Sequence, residues 1–160
     1  MKKVQWQMNS KIGSLYLVAS DKGLQGIFRK KQKFPLIKYL KISGAEARIL
    51  SKAVCQLEEY LAGKRKKFDV PLDTAGTPFQ KKVWQELRKI PYGKTCSYKD
   101  IAHRIKNPKA VRAVGGANGK NPLCIIVPCH RVIAHDRSLG GYSWGLPMKM
   151  KLLELETSAH

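Results

Sequence analysis

Hydrophobic and polar positions alternate with a period of two through residues 2–30. Val4, Trp6 and Met8 share one face, Leu15, Leu17 and Ala19 share one face of a second run, and Leu24 to Phe28 form a third. That period predicts half-buried strands. Asn9-Ser-Lys-Ile-Gly13 and Asp21-Lys-Gly23 supply the turns between them, so a β-meander is expected. The period then changes. Ile49, Ala53, Leu57 and Leu61 recur on one stripe, widened by Leu50, Val54 and Tyr60 and stopped at Gly63, which predicts a helix over 45–62. Phe68, Val70 and Leu72 alternate once more as a short strand, and Asp73-Thr-Ala-Gly76 follows as a linker.

Beyond the linker the pattern is helical. Thr77 is a cap with Pro78 at the first helical position, and Phe79, Val83, Trp84 and Leu87 make the apolar face. Ile90-Pro-Tyr-Gly93 ends that helix. Ser97 and Asp100 have capping-box spacing before Ile101, Ala102 and Ile105. By the same cap-then-proline pattern, Asn107-Pro108 predicts a further helix over about 108–118, small-faced and carrying Arg112. Two short helices joined by a tight turn predict a helix-turn-helix. Gly115-Gly116 lies late in the second, where glycine is costly unless another backbone comes close. Ile125 to Val127 reads as a buried strand ended by Pro128. The last helix is expected over 147–156, with Met148, Leu152 and Leu155 on one side. The architecture implied is α+β: a small amino-terminal sheet-plus-helix domain, 1–75, and a mainly helical carboxy-terminal domain, 76–160.

Charge alters this picture more than composition does. Thirty-one Lys and Arg against 11 Asp and Glu leave a formal +20, which favours a polyanionic partner. Together with the helix-turn-helix it points to DNA. Arg29-Lys-Lys-Gln-Lys33 and Lys64-Arg-Lys-Lys67 are phosphate-contact candidates or solvated basic edges. No apolar run approaches the ~18 residues of a membrane span. The Met-Lys-Lys start is followed by alternation rather than an apolar core, so no export signal and a cytoplasmic location are expected. The four cysteines, Cys55, Cys96, Cys124 and Cys129, lack zinc-type spacing and are expected as reduced thiols.

Candidate chemistry gathers in Asn121-Pro-Leu-Cys-Ile-Ile-Val-Pro-Cys-His-Arg-Val-Ile133. Cys129 and His130 are adjacent, and a base or positive group near a thiol makes its thiolate available. A half-buried cysteine beside a surface histidine fits the same residues. Gly140-Gly-Tyr-Ser-Trp-Gly145 is a glycine-rich loop with two aromatics, suited to a flat ligand or to plain surface.

The chain resembles the O6-alkylguanine-DNA alkyltransferases. The matching residues are Gly76-Thr-Pro-Phe-Gln80, Val83-Trp84, Ile90-Pro-Tyr-Gly93, Ser97-Tyr98, Asn107-Pro-Lys-Ala110, Arg112-Ala-Val-Gly-Gly-Ala117, Asn121-Pro122, Pro128-Cys-His-Arg-Val132 and Gly141-Tyr-Ser143. They cover residues 76–156 in order; the amino-terminal half matches in outline only. The resemblance implies single-use repair of O6-alkylguanine, and of O4-alkylthymine, by base flipping and irreversible transfer of the alkyl group to Cys129. It implies His130 as base through a water, Glu156 as its orienting carboxylate, Tyr98 as proton donor to the purine and Asn121 as a brace of the turn. It places a winged helix-turn-helix in the minor groove, with Arg112 filling the gap left by the base and Ala110, Ala113 and Ala117 allowing close approach. Lys109, Ser97 and Lys120 join them as DNA contacts, and Val132, Tyr142, Ser143 and Trp144 as the substrate pocket.

No cofactor and no obligate protein partner are implied, and the expected species is a monomer on double-stranded DNA. Some family members hold a structural zinc in the amino-terminal half; here neither Cys nor His occurs before Cys55, so no metal site is expected. Trp144 stands where some members have glycine and is expected to narrow the pocket, while Cys124 is expected to be buried and inert. Non-catalytic relatives that lack the acceptor cysteine are disfavoured by Cys129. A helix-turn-helix regulator sensing alkylation is disfavoured because no effector region is visible. A cysteine hydrolase is disfavoured because no oxyanion-hole motif is visible.

Overall fold

In a computed structural model, residues 2–38 and 44–158 are described. The chain divides into two compact units, Met1–Ala75 and Gly76–His160. The first holds an antiparallel sheet of β1 (Val4–Ser10), β2 (Gly13–Ala19) and β3 (Leu24–Phe28) in that order, and one helix, α1 (Ala45–Leu61). Ser10 pairs with Gly13, so the first turn is only Lys11 and Ile12, tighter than the residue pattern predicts. Val4, Met8, Leu15 and Leu17 from the sheet are buried with Leu50, Ala53, Leu57 and Tyr60 from α1. Gln5 is buried among them, fully bonded: its amide donates to the carbonyls of Gln32 and Phe34 and accepts from the Gln32 N–H.

The expected strand at Phe68, Val70 and Leu72 is not one. Leu72 makes an isolated bridge to Leu24, and only Val70 of the three is buried, so the segment lies along the sheet without a continuous ladder.

The second unit contains α2 (Pro78–Leu87), β4 (Cys96–Ser97), α3 (Tyr98–Arg104), α4 (Val111–Gly119), a single 3-10 turn at Cys129–Arg131, β5 (Val132–Ile133) and α5 (Leu146–Ser158). Two of the three predicted caps close as full capping boxes, Thr77 with Gln80 and Ser97 with Asp100. Helices α2, α3 and α4 pack together, and the Trp84 indole N–H donates to the Ala117 carbonyl at 2.9 Å, tying α2 to α4.

Two expectations change here. The helix predicted from Pro108 begins at Val111: residues Asn107 to Ala110 close a separate turn, and the first α-type bond runs from Val114 N–H to the Ala110 carbonyl. The run Ile125–Val127 is buried but is a turn, not a strand. Ile125 has φ 79, and the Val127 N–H returns to the Leu123 carbonyl. The run is apolar because it is enclosed, with Leu123 to Val127 each at most 5% exposed. The strand comes afterwards, where Val132 and Ile133 pair in parallel with Cys96 and Ser97 and hang the site segment on the start of α3.

Candidate active site and nucleic-acid interface

Pro128 releases the chain into the 3-10 turn that carries Cys129, His130 and Arg131, all buried. The turn is braced from behind. The Asn121 side-chain amide donates to the Val127 carbonyl at 2.8 Å and its oxygen accepts from the Leu123 N–H, while Asn118 donates to the Cys129 carbonyl at 3.4 Å. The bracing role expected for Asn121 therefore has its geometry, and Asn118 is a second brace that sequence reasoning missed.

His130 is fully enclosed, and its Nε2 lies 2.6 Å from Glu156 Oε2. A carboxylate only accepts, so this bond assigns the imidazole proton to Nε2 and leaves a lone pair on Nδ1. Nδ1 meets no hydrogen-bond partner among the described residues. Burial pulls the His130 pKa down, outweighing the upward pull of Glu156, so the ring is neutral at neutral pH.

Glu156 carries more than the histidine. Arg131 grips it through Nε at 2.8 Å and Nη2 at 3.0 Å, its Nη1 donates to the Ile90 carbonyl, and the Gly93 N–H donates to Oε1 at 3.3 Å. A buried carboxylate survives when it is paired and its lone pairs are used. The inward stripe of α5 is Lys149, Leu152 and Glu156: Leu152 is as expected, and Lys149 and Glu156 each stand one position beyond the expected Met148 and Leu155. An apolar-first count of the stripe passes over a buried lysine. Lys149 Nζ donates to the carbonyls of Val132 (2.7 Å), Leu139 and Gly141 (3.0 Å), pinning the glycine-rich loop to β5. Burial lowers its pKa to about 8. Arg131 and Lys149 were both unassigned from sequence. The signals that locate them are the Pro-Cys-His-Arg run and the i, i+3, i+7 spacing of Lys149, Leu152 and Glu156.

The Cys129 thiol is held well above the ordinary cysteine value by its hydrogen bond to the neighbouring Cys124 sulfur, 3.9 Å away, and by burial. Near it lies a cavity of about 370 Å³ lined by Tyr98, Gly115, Asn118, Gly119, Gly141, Tyr142 and Ser143. Tyr98 is raised by burial and so keeps its proton at neutral pH, and its hydroxyl lies against the Gly140–Gly141 backbone. Gly140 has φ 68, and a Cβ there would stand 3.0 Å from that hydroxyl, so only glycine lets the loop close over Tyr98.

Trp144 does not line this cavity. Its indole packs edge-on against Tyr142, which does line the cavity, with ring centres 6.3 Å apart. Val132 is fully buried and reaches the site only through its backbone, whose carbonyl already accepts from Lys149. Cys124 is buried as expected.

On α4, Arg112 and Ala113 are exposed, as are Lys109 before it and Lys120 after it, while Ala110 and Ser97 are half-buried. Ala117 faces inward at 4% exposure and its carbonyl serves Trp84, so the close approach expected of its side chain has no surface to act on. A Cβ on Gly116 or Gly119 would meet nothing within 4 Å. The close backbone that Gly116 was expected to accommodate is absent from the described residues. Among these residues no group of three or more His, Cys, Asp and Glu could hold a metal, and no helix is long and apolar enough to cross a membrane.

Comparison with known proteins places this geometry. Residues 78–158 match the 6-O-methylguanine DNA methyltransferase DNA-binding domain, and residues 6–74 match the ribonuclease-like domain of the same proteins. A methylated-DNA–protein-cysteine methyltransferase of Methanosarcina acetivorans is 47% identical over 93% of this chain and 95% of its own length. One from Mycobacterium leprae is 46% identical over 93% of this chain and 89% of its own. The crystal structure of Mycobacterium tuberculosis OGT in complex with DNA superposes with a TM-score of 0.86 at 42% identity, covering 98% of this chain and 94% of that one. The fold and the buried Cys-His-Glu arrangement define a two-domain α+β protein of the alkyltransferase type. The chain belongs to the 6-O-methylguanine DNA methyltransferase family.

Proposed function

We propose that this protein repairs O6-alkylguanine in double-stranded DNA by moving the alkyl group irreversibly to Cys129, one transfer per molecule, with O4-alkylthymine as a second substrate. The observation that carries this reading is the buried His130–Glu156–Arg131 network, next in the chain to the buried Cys129 and beside a pocket walled by two tyrosines. A neutral imidazole held through Nε2 offers Nδ1 to a water that relays the proton from the Cys129 thiol. Glu156 stabilises the imidazolium that results. A base inside the duplex cannot present its O6 substituent to this buried sulfur, so it is flipped into the pocket, and weakened pairing lowers the cost.

The thiolate then attacks the alkyl carbon. The carbon–oxygen bond breaks as a carbon–sulfur bond forms, and Tyr98 gives its proton to the purine so that guanine leaves neutral. The phenol regains a proton through solvent as the His130 imidazolium gives one up, so the thiol proton ends on the guanine. Nothing cleaves the thioether, so the acceptor is spent. Outside the pocket, Arg112 and Ala113 on the exposed surface of α4, with Lys109 before it, Lys120 after it, and Ala110 and Ser97 beside them, meet the minor groove. Arg112 occupies the gap left by the base. The second unit thus carries both DNA binding and alkyl acceptance. The protein acts as a cytoplasmic monomer, and phosphate contacts by its basic surface make binding weaken with salt.

The test is a duplex containing O6-methylguanine incubated with the protein, followed by peptide mass mapping. One methyl group on the Cys129 peptide, in stoichiometric yield and without turnover, is the expected result. Repeated turnover, or methyl on any other cysteine, would overturn the reading.

A further inference from the structure

Cys124 has no part in the reaction above, yet its sulfur lies 3.9 Å from that of Cys129. The tight turn at Ile125 and Ile126 brings it there, by folding the chain back so that Cys124 and Val127 bridge just before Pro128. Both thiols are buried, Cys124 at 2% and Cys129 at 1% exposure. They are not sealed off. The Cys124 sulfur lies 3.6 Å from Ser143 Oγ, and Ser143 is an exposed residue of the cavity wall. A small polar reagent entering the cavity therefore arrives beside the pair. A disulfide needs its sulfurs about 2.05 Å apart. Oxidation therefore has to draw the two sulfurs together from 3.9 Å.

We propose that Cys124 and Cys129 form a modification site for small peroxides, which convert the pair to an intramolecular disulfide and so withhold the acceptor sulfur in a recoverable form. One thiolate of the pair attacks the peroxide: a sulfur–oxygen bond forms, the oxygen–oxygen bond breaks, and with hydrogen peroxide the departing hydroxide takes up a proton as water. The partner thiol then attacks the resulting sulfenic acid. The sulfur–sulfur bond forms, the sulfur–oxygen bond breaks and a second water leaves. Both sulfurs are oxidised by one equivalent of peroxide, which is reduced to two waters.

A lone buried acceptor has no such exit and continues to sulfinic and sulfonic acids, which are irreversible. In a protein whose acceptor is used once, this matters: the neighbour turns oxidation from destruction of the reagent into storage of it. The consequence for repair rests on the functional reading above; formation of the disulfide does not.

Cleavage after Lys120 and Arg131 releases both cysteines in one peptide, residues 121–131, which makes the test direct. The reduced full-length protein is treated with hydrogen peroxide, denatured in N-ethylmaleimide and digested. The expected peptide is two hydrogens lighter than its reduced form, takes up no maleimide, and accepts two after dithiothreitol. Methyl acceptance from O6-methylguanine DNA is expected to be lost with peroxide and restored by dithiothreitol. In Cys124→Ser, oxygen is expected to accumulate irreversibly on the same peptide.

A wild-type peptide that gains oxygen instead of losing hydrogens, or that still takes two maleimides, overturns the proposal. So does recovery of the Cys124→Ser protein by dithiothreitol to the wild-type extent. If the lighter peptide forms but the reduced protein never accepts methyl on Cys129, the functional reading falls and the modification site stands.

Discussion

Helices α1 and α5 have comparable lengths, 17 and 13 residues, and each turns one side inward, but they bury opposite things. The inward side of α1 is Ala47, Ile49, Leu50, Ala53, Leu57, Tyr60 and Leu61, with Gln56 as the one polar residue, and it packs on the sheet. That of α5 is Lys149, Leu152 and Glu156, two charges around a single leucine. Apolar burial drives α1 into place at about 25 cal/mol per Å² removed from water. The charges of α5 contribute nothing of that kind; they are tolerated only because Arg131, His130 and backbone carbonyls satisfy them. A helix that buries charge is held by specific partners. Its position is therefore informative about chemistry in a way that the position of α1 is not.

Paired truncations separate the two cases most sharply. Glu156→Ala leaves the Arg131 guanidinium buried without its carboxylate, at a cost of about 3–5 kcal/mol, and it removes the support of His130. In urea titration the midpoint falls, and methyl transfer per folded molecule falls with it. Leu57→Ala opens a cavity under α1 worth about 2–5 kcal/mol and leaves methyl transfer per folded molecule unchanged. Equal activity losses from the two would erase the contrast.

A smaller effect concerns pH. His130 binds its proton less readily when folded than in the unfolded chain, where the ordinary value is 6.5. Below that value the unfolded state takes up more protons, so the contribution of this ring to stability is present above 6.5 and is lost as pH falls toward and through the lowered folded value. His130→Asn, compared with the parent in urea titrations across pH 5 to 7, is expected to flatten that part of the profile. An unchanged slope would mean that the ring is charged in the folded state.

The smallest effect on stability belongs to Arg112→Ala, since an exposed substitution changes it by within about 0.5 kcal/mol. Its expected signature is kinetic: slower repair of duplex DNA with little change in reaction with free O6-alkylguanine base. Equal slowing on both substrates would contradict a role in flipping.

The difference between the helices also explains what could be read from sequence. The meander, α1, α2 and both capping boxes follow from periodicity and cap chemistry, because in those elements apolar means inside. Ile125–Val127 misled for the reason that applies to any short apolar run: enclosure and strand pairing leave the same composition. Pro108 marked a turn rather than a helix start, since the cap-then-proline pattern is local and cannot show that the chain closes one extra turn before Val111. Cys129 and His130 were visible as an adjacent pair, and Glu156 only as the orienting carboxylate that the resemblance implies. Lys149 and Arg131 were not assigned, because a charged residue counts as outside in any pattern argument. Only the folded chain shows which carbonyls and carboxylate receive them.

Lys149 also carries a matter of stoichiometry. An ammonium has three hydrogens, and the carbonyls of Val132, Leu139 and Gly141 use one each. Above its pKa of about 8 the amine has two hydrogens for three acceptors, so one carbonyl must be released. Neither a planar guanidinium nor an acetylated lysine can supply the same trio from one point. The glycine-rich loop is thus fastened to β5 by a rivet whose grip is counted in protons.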